Sequence, residues 1–343
     1  MKRLSAACRG ALLALLCLPV ILSLSACGGK TDVITPARLK PFTVMLDWFP
    51  NADHAAMYEA IAHGYFRAVG LDVHPVVPAE TAEPLELLAA GKADVAISYE
   101  PELLLARDQG LKLVSIGALV QRPLTSVIAL GSAHISSVAN LAHKTIGTAG
   151  INYQGAELKT VLAHAGVKPS SVKVVNVGFN LVPAMLSGKV AATLGGFWNY
   201  EALQLASMGK HPVVIPVDQA GVPTYNELVL VVRQNEAQHD GADLRAFLAA
   251  LTRGQAQVKQ NPQAAAQLLL EANSSLQAKL QLRSIQSTLA ANYPTNTNEP
   301  YGYQDPQAWA SFAHWMFGEG LLHQNPAFSS QPFTNEFLPG QGL

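Results

Sequence analysis

Side chains able to recognise or transform a small molecule gather at two places in this sequence. The first is Asp47-Trp48, followed by Asn51 and His54. The second is Trp198-Asn199 with Glu201, about 150 residues later. Tyr99 and Glu100, then Asn152, Tyr153 and Gln154, and finally Tyr225 fall between or after them. Indole and phenol faces beside carboxylates and amides suit a flat, nitrogen-rich heterocycle: the rings stack on it, while acids accept from its exocyclic amines. Each residue also has a structural reading. The two tryptophans fit a core equally well. Asp47 and Glu201 can cap a helix or pair with a base. His54 can make a structural hydrogen bond, Glu100 before Pro101 can cap the next helix, and Tyr225 can bond across a cleft or plug it. Constellations for catalysis are thin. No GxSxG, HExxH, GxxxxGK[ST] or GxGxxG occurs, and no two of the ten histidines are spaced i,i+4. The cysteines are Cys8, Cys17 and Cys27, so the body of the chain offers no thiol nucleophile or cysteine-based zinc site, and neither metal nor cofactor is expected.

The elements that must position these residues repeat. Residues 42–48 (FTVMLDW) read as a buried strand and 53–62 as a helix capped by Asn51 or Asp53. A strand at 71–77, a helix at 84–90 closed by Gly91-Lys92, and a strand at 93–98 follow. The same order returns at 145–149, 155–165, 172–177, 181–187 closed by Gly188-Lys189, and 190–194. Short apolar strands alternating with helices predict two α/β lobes with parallel sheets covered on both faces. In such sheets ligands bind beyond the carboxyl ends of the strands, where the residues above fall. Extended segments at 124–130 and 225–232 supply the two crossings that a hinge between lobes requires. Beyond 240 the pattern is helical, at 243–259, 262–271 and 306–318, and this tail is expected to pack on lobe 1.

With 343 residues, 49% of them hydrophobic and 14% charged, the chain can bury a sizeable core. Its net charge of −1 and lack of a basic stripe exclude a nucleic-acid partner. Residues 1–26 read as an export signal: Lys2, Arg3 and Arg9, an apolar stretch at 11–24 interrupted by Pro19, and a small-residue close ahead of Cys27. Leu24-Ser25-Ala26-Cys27 resembles the bacterial lipobox, which makes Cys27 the candidate lipidated residue; a soluble exported protein cleaved nearby is the alternative. Removal of the signal leaves 20 basic against 24 acidic side chains. Residues 27–40 read as a tether, 41–124 as the first part of lobe 1, 125–224 as lobe 2, and 225–343 as the return to lobe 1 with the C-terminal helices.

MLDWFPNADHAAMY at 45–58, with GYFRAVGLDV at 64–73, GKADVAISY at 91–99, GFWNYE at 196–201 and GVPTYNELVL at 221–230, resembles the superfamily of thiamine-pyrimidine precursor proteins. That superfamily includes formylaminopyrimidine-binding lipoproteins of bacterial ABC importers and fungal hydroxymethylpyrimidine phosphate synthases, within the wider sulfonate- and taurine-binding group. The resemblance spans roughly 41–232. It implies a type II periplasmic-binding fold, with a ligand cleft between two lobes, that closes on one aromatic nitrogen heterocycle and delivers it to an ABC permease and its ATPase. On this reading the protein is a monomer, exported and lipid-anchored to a bacterial membrane. By position, Asp47, Trp48, Asn51 and His54 belong to the family's first cleft loop, and Trp198, Asn199 and Glu201 to the contribution of lobe 2. The synthases consume a histidine in the segment matching His54, with pyridoxal phosphate and iron. Their cysteine-rich iron-associated motif has no counterpart in this sequence, which favours a binding protein. A riboflavin binder would use the same aromatic walls, whereas a sulfonate asks for Arg or several amides that the strand ends do not offer.

Overall fold

The computed structural model describes residues 39–80, 83–326 and 331–342. The signal, Cys27 and nearly all of the tether lie outside the described residues. Strand β1, Lys40–Met45, starts one residue inside the stretch read as tether. The strands that follow are β2 Leu71–Val76, β3 Val95–Ser98, β4 Leu113–Val120, β5 Thr125–Leu130, β6 Thr145–Thr148, β7 Lys173–Asn176, β8 Ala192–Phe197, β9 Pro212–Pro216 and β10 Leu228–Arg233. They form two five-stranded sheets, β2-β1-β3-β10-β4 and β7-β6-β8-β5-β9. The repeat seen in the sequence is thus a repeat of topology, and the molecule is a two-lobed α/β protein.

The sheets are mixed rather than parallel throughout. β1 pairs in parallel with β2 and β3, and β6 does so with β7 and β8, as βαβ units dictate. The crossing strands break the pattern. β5 leaves lobe 1 and inserts antiparallel between β8 and β9, and β10 returns to insert antiparallel between β3 and β4. Each lobe therefore borrows its fourth strand from a crossing segment. β4 and β9, which pair with those segments, have no counterpart in the expected list of strands. β4 is buried along its whole length and β10 along all but its last residue, since helices cover both faces of the sheet.

The C-terminal helices Gly241–Gln260 and Pro262–Ala272 pack on helix Ala55–Ala62, which carries the first cleft loop. Gly254 permits this contact: a β-carbon there would stand 2.0 Å from the Ala56 carbonyl oxygen. The tail does more than cover lobe 1. A further helix, Ala278–Thr288, touches both the turn Ala52–His54 and the lobe 2 helix Glu201–Ser207. Lys159 in lobe 2 pairs at 2.7 Å with Glu319, just past helix Pro306–Gly318.

Candidate ligand cleft

The first cleft loop is built by local capping. Asn51 is extended and accepts from the Asp53 backbone N–H at 2.8 Å, so it, and not Asp53, caps the turn. Its amide also donates to the Phe49 carbonyl at 3.0 Å. His54 Nδ1 accepts from the Asn51 backbone N–H at 3.3 Å, which leaves the ring proton on Nε2 to be donated to Asp47 Oδ1 at 2.8 Å. The second oxygen of Asp47 accepts from the Tyr99 hydroxyl at 2.9 Å. Asp47, His54 and Tyr99 therefore brace one another beneath Trp48.

Trp48 projects from this brace into a crevice between the lobes. Lobe 1 contributes Trp48 and Tyr99, the crossing strand contributes Thr125, and lobe 2 contributes Ile151, Tyr153, Gln154, Phe179, Phe197 and Glu201 among others. Trp48 already stacks across the divide on Phe179, with ring centroids 5.8 Å apart and planes at 22°. Tyr200 meets its edge at 5.4 Å. The cavity volume is about 30 Å³, far below the roughly 300–1,000 Å³ of a small-molecule pocket. A flat ring sandwiched between two aromatic faces needs about 7 Å between them, at about 3.5 Å per contact. Entry of a heterocycle consequently requires the lobes or the rings to part.

Glu201 lies in the wall at the start of its helix, one carboxylate oxygen accepting the Phe197 backbone N–H at 2.7 Å. Burial pushes its carboxyl up to about 7, against the pull of that hydrogen bond. Near neutrality such a group accepts from an amine when ionised and donates to a ring nitrogen when protonated. No lysine or arginine lines the crevice among the described residues. An anionic ligand finds no counter-charge there.

Of the residues singled out from the sequence, the structure brings Trp48, Tyr99, Tyr153, Gln154 and Glu201 to the crevice. Asn152 is exposed outside it, and the others hold the frame. Trp198 faces the hinge: its indole N–H donates to the Pro123 carbonyl at 2.9 Å and the Arg122 guanidinium lies 5.2 Å over its ring. Phe197, one residue earlier, takes the place expected of it. Asn199 is fully buried and donates to Asp53 Oδ1 and to Thr288 Oγ1, both at 2.7 Å, tying lobe 2 to the first cleft loop and to helix Ala278–Thr288. Burial pushes Asp53 up to about 7, with nearby His54 opposing and Asp47 adding to the rise.

Glu100 does not cap its own helix, Glu100–Asp108. One of its oxygens accepts from the Asn226 backbone N–H at 2.8 Å and the Asn226 side-chain amide at 2.7 Å; the other has no partner. Tyr225 donates to Glu157 in lobe 2 at 2.9 Å and packs on Phe312. Glu227, unremarked in the sequence, accepts from the Leu124 and Thr125 backbone N–H groups at 2.6 and 2.9 Å and from the Thr125 hydroxyl at 3.0 Å. The return crossing at 225–227 is thereby fastened to lobe 2, to lobe 1 and to the outgoing crossing by three consecutive side chains. Phe179 and Thr125 also escape a reading of the sequence alone. Phe179 follows the second strand of its lobe, a corner that attention to the first and third strand ends passes over.

The chain matches the family described as NMT1/THI5 like over residues 51–265. It is 35% identical to the formylaminopyrimidine-binding protein of Halalkalibacterium halodurans, over 92% of this chain and 96% of that one. It is 34% identical to a putative thiamine biosynthesis protein of Haemophilus influenzae, over 82% and 87% respectively. More distant relatives are a 4-amino-5-hydroxymethyl-2-methylpyrimidine phosphate synthase of Legionella pneumophila, 25% identical over 87% of this chain and 92% of that one, and a riboflavin-binding protein of Chloroflexus aurantiacus, 28% identical over 94% and 96%. Among solved structures, the alkanesulfonate-binding protein of Xanthomonas axonopodis pv. citri superposes with a TM-score of 0.66 at 16% identity, over 83% of this chain and 95% of that one. At that identity the likeness bears on the fold, which is that of a two-lobed periplasmic binding protein.

Proposed function

The chain belongs to the NMT1/THI5-like family, and from that premise we propose that it is the capture component of an ABC importer for an aminopyrimidine thiamine precursor of the formylaminopyrimidine or hydroxymethylpyrimidine type. The observation that carries the reading is the crevice itself. Trp48 and Phe179 face each other from opposite lobes, and Glu201, poised to accept from an amine or donate to a ring nitrogen, stands in the wall without a competing cation. A flat ring stacked on Trp48 with its amine turned to Glu201 buries its faces and satisfies its polar edge. Asp47, the other acid expected to face the amine, is engaged by His54 and Tyr99 and acts through the position of Trp48.

Export, lipid attachment at Cys27 and delivery to a permease and ATPase belong to the same proposal; Cys27 lies outside the described residues. Among the described residues no helix is long and apolar enough to cross a membrane. A binding role, rather than the synthase reaction of the more distant relatives, draws support from His54. Both of its ring nitrogens are engaged, and it is 1% exposed. Riboflavin is the competing ligand. Its three-ring system would need the same spacing between Trp48 and Phe179 but a longer slot than a single pyrimidine. Calorimetric titration of the protein with formylaminopyrimidine, riboflavin and taurine tests the reading. Saturable binding of the pyrimidine in preference to the other two is expected, and the absence of heat with any pyrimidine would overturn it.

A further inference from the structure

Gln154 is the first residue of the eleven-residue helix Gln154–His164 in lobe 2 and lines the crevice, yet it is only 2% exposed. Its side-chain oxygen has no hydrogen-bond partner. A buried acceptor left unmatched forfeits its hydration without replacement, so its retention asks for an explanation. The backbone opposite is shaped around this side chain. Gly195 has a φ of +104°, and a β-carbon there would fall 2.3 Å from Gln154 Nε2. Any larger residue at 195 would therefore expel the carboxamide from its seat, besides being strained at that φ. Gly195, Phe197 and Glu201 line the same crevice, so the carboxamide and the Glu201 carboxyl share one wall.

We propose that Gln154 is a second polar anchor of the ligand cleft, specific for a flat heterocycle that carries an amine beside a ring nitrogen. The unmatched oxygen accepts the amine N–H, and the carboxamide NH2 donates to the ring nitrogen. Glutamine reads adenine through the same complementarity. The inference rests on the proposed capture of an aminopyrimidine and adds the group that would select for its amine. It also accounts for the unmatched oxygen, which finds its partner on the ligand.

The test is calorimetric titration of the wild-type protein and the near-isosteric Gln154→Met variant with formylaminopyrimidine and with its analogue lacking the ring amine, alongside thermal unfolding of both proteins without ligand. The expected result is tenfold or greater loss of affinity for the amine-bearing ring in the variant, little change for the analogue, and an unfolding midpoint equal to or above that of the wild type, because a buried unmatched acceptor has been removed. Equal affinities in the two proteins, or equal losses for both ligands, would overturn the anchor while leaving the pyrimidine reading in place. If the wild type takes riboflavin and no pyrimidine, the pyrimidine reading fails and the anchor fails with it, because the flavin ring carries no exocyclic amine. A wild-type protein that binds neither probe overturns both.

Discussion

Glu100→Gln should make the protein more stable in alkali and leave it nearly unchanged in acid. Glu100 is completely buried, and burial pushes its carboxyl from 4.5 up to about 8 despite the hydrogen bonds from Asn226. Between those values the folded chain holds a proton that the unfolded chain has released. Folded-state protons in excess of unfolded-state protons make stability fall as pH rises, so the contribution of Glu100 is intact below about pH 4.5 and lost as pH climbs through 8. Each tenfold weakening of the acid is worth about 1.4 kcal/mol, so the loss is on the order of 5 kcal/mol for so deeply buried a group. Glutamine keeps an oxygen for Asn226 and has no proton to release, so its curve lacks this fall. The other buried acids are common to both proteins and cancel in the difference. Equilibrium urea unfolding at pH 5, 7 and 9 measures it. The midpoints should nearly coincide at pH 5 and separate by about 1 M at pH 9, with the variant higher, for a urea dependence of about 3–4 kcal/mol/M. Parallel midpoints across that range would show that Glu100 is ionised in the folded protein at no cost, and the reasoning from its burial would fail.

Trp48→Ala should weaken pyrimidine binding by about 10- to 100-fold, the equivalent of roughly 1.5–3 kcal/mol of lost stacking and burial, by calorimetry; unchanged affinity would remove Trp48 from the cleft. Asn199→Leu severs the link from lobe 2 to Asp53 and Thr288 and should cost about 2–4 kcal/mol in urea unfolding, because two buried partners lose their donor. Trp198→Ala should destabilise by about 2–4 kcal/mol while changing ligand affinity less than about fivefold. Lost binding with unchanged stability would return that ring to the cleft. Cys27→Ser should abolish incorporation of labelled palmitate into the protein in expressing cells, and undiminished labelling would rule out lipidation at that residue.

The doubled βαβ order is legible because apolar runs, Gly-closed helices and their spacing are local signals. Strand direction is not local: nothing in LTSVIAL or YNELVLVV tells which sheet will accept it or in which sense. The sequence therefore reads as parallel sheets, while β5 and β10 enter antiparallel. Trp198 shows how a small boundary error redirects a site. Reading the last strand of lobe 2 as 190–194 hides that it continues to Phe197. Side chains alternate along a strand, which places Gly195 and Phe197 on the crevice face and lets the chain turn before Trp198. Glu100 and Glu227 share a different difficulty. Their partners include backbone N–H groups, which every residue but proline carries and which, away from a helix cap, no sequence pattern advertises. The aromatic residues Trp48, Tyr99 and Tyr153 can be placed at the crevice beforehand because the carboxyl ends of strands are found from the strands alone.

The exchange of crossing strands also governs the order in which the molecule can assemble. β3 and β4 are not neighbours in their sheet; β10 separates them, hydrogen-bonded to both. The first sheet cannot be completed until the chain has been made through Arg233, after every strand of the second sheet has emerged. At synthesis rates of about 5–20 residues per second, that leaves roughly 7–30 s between the appearance of β3 and that of its partner. Throughout this interval the first lobe presents an open sheet edge and has no finished core. A chain that must thread a membrane before folding gains from such a delay, and one that lingers in that state exposes the same edge to aggregation.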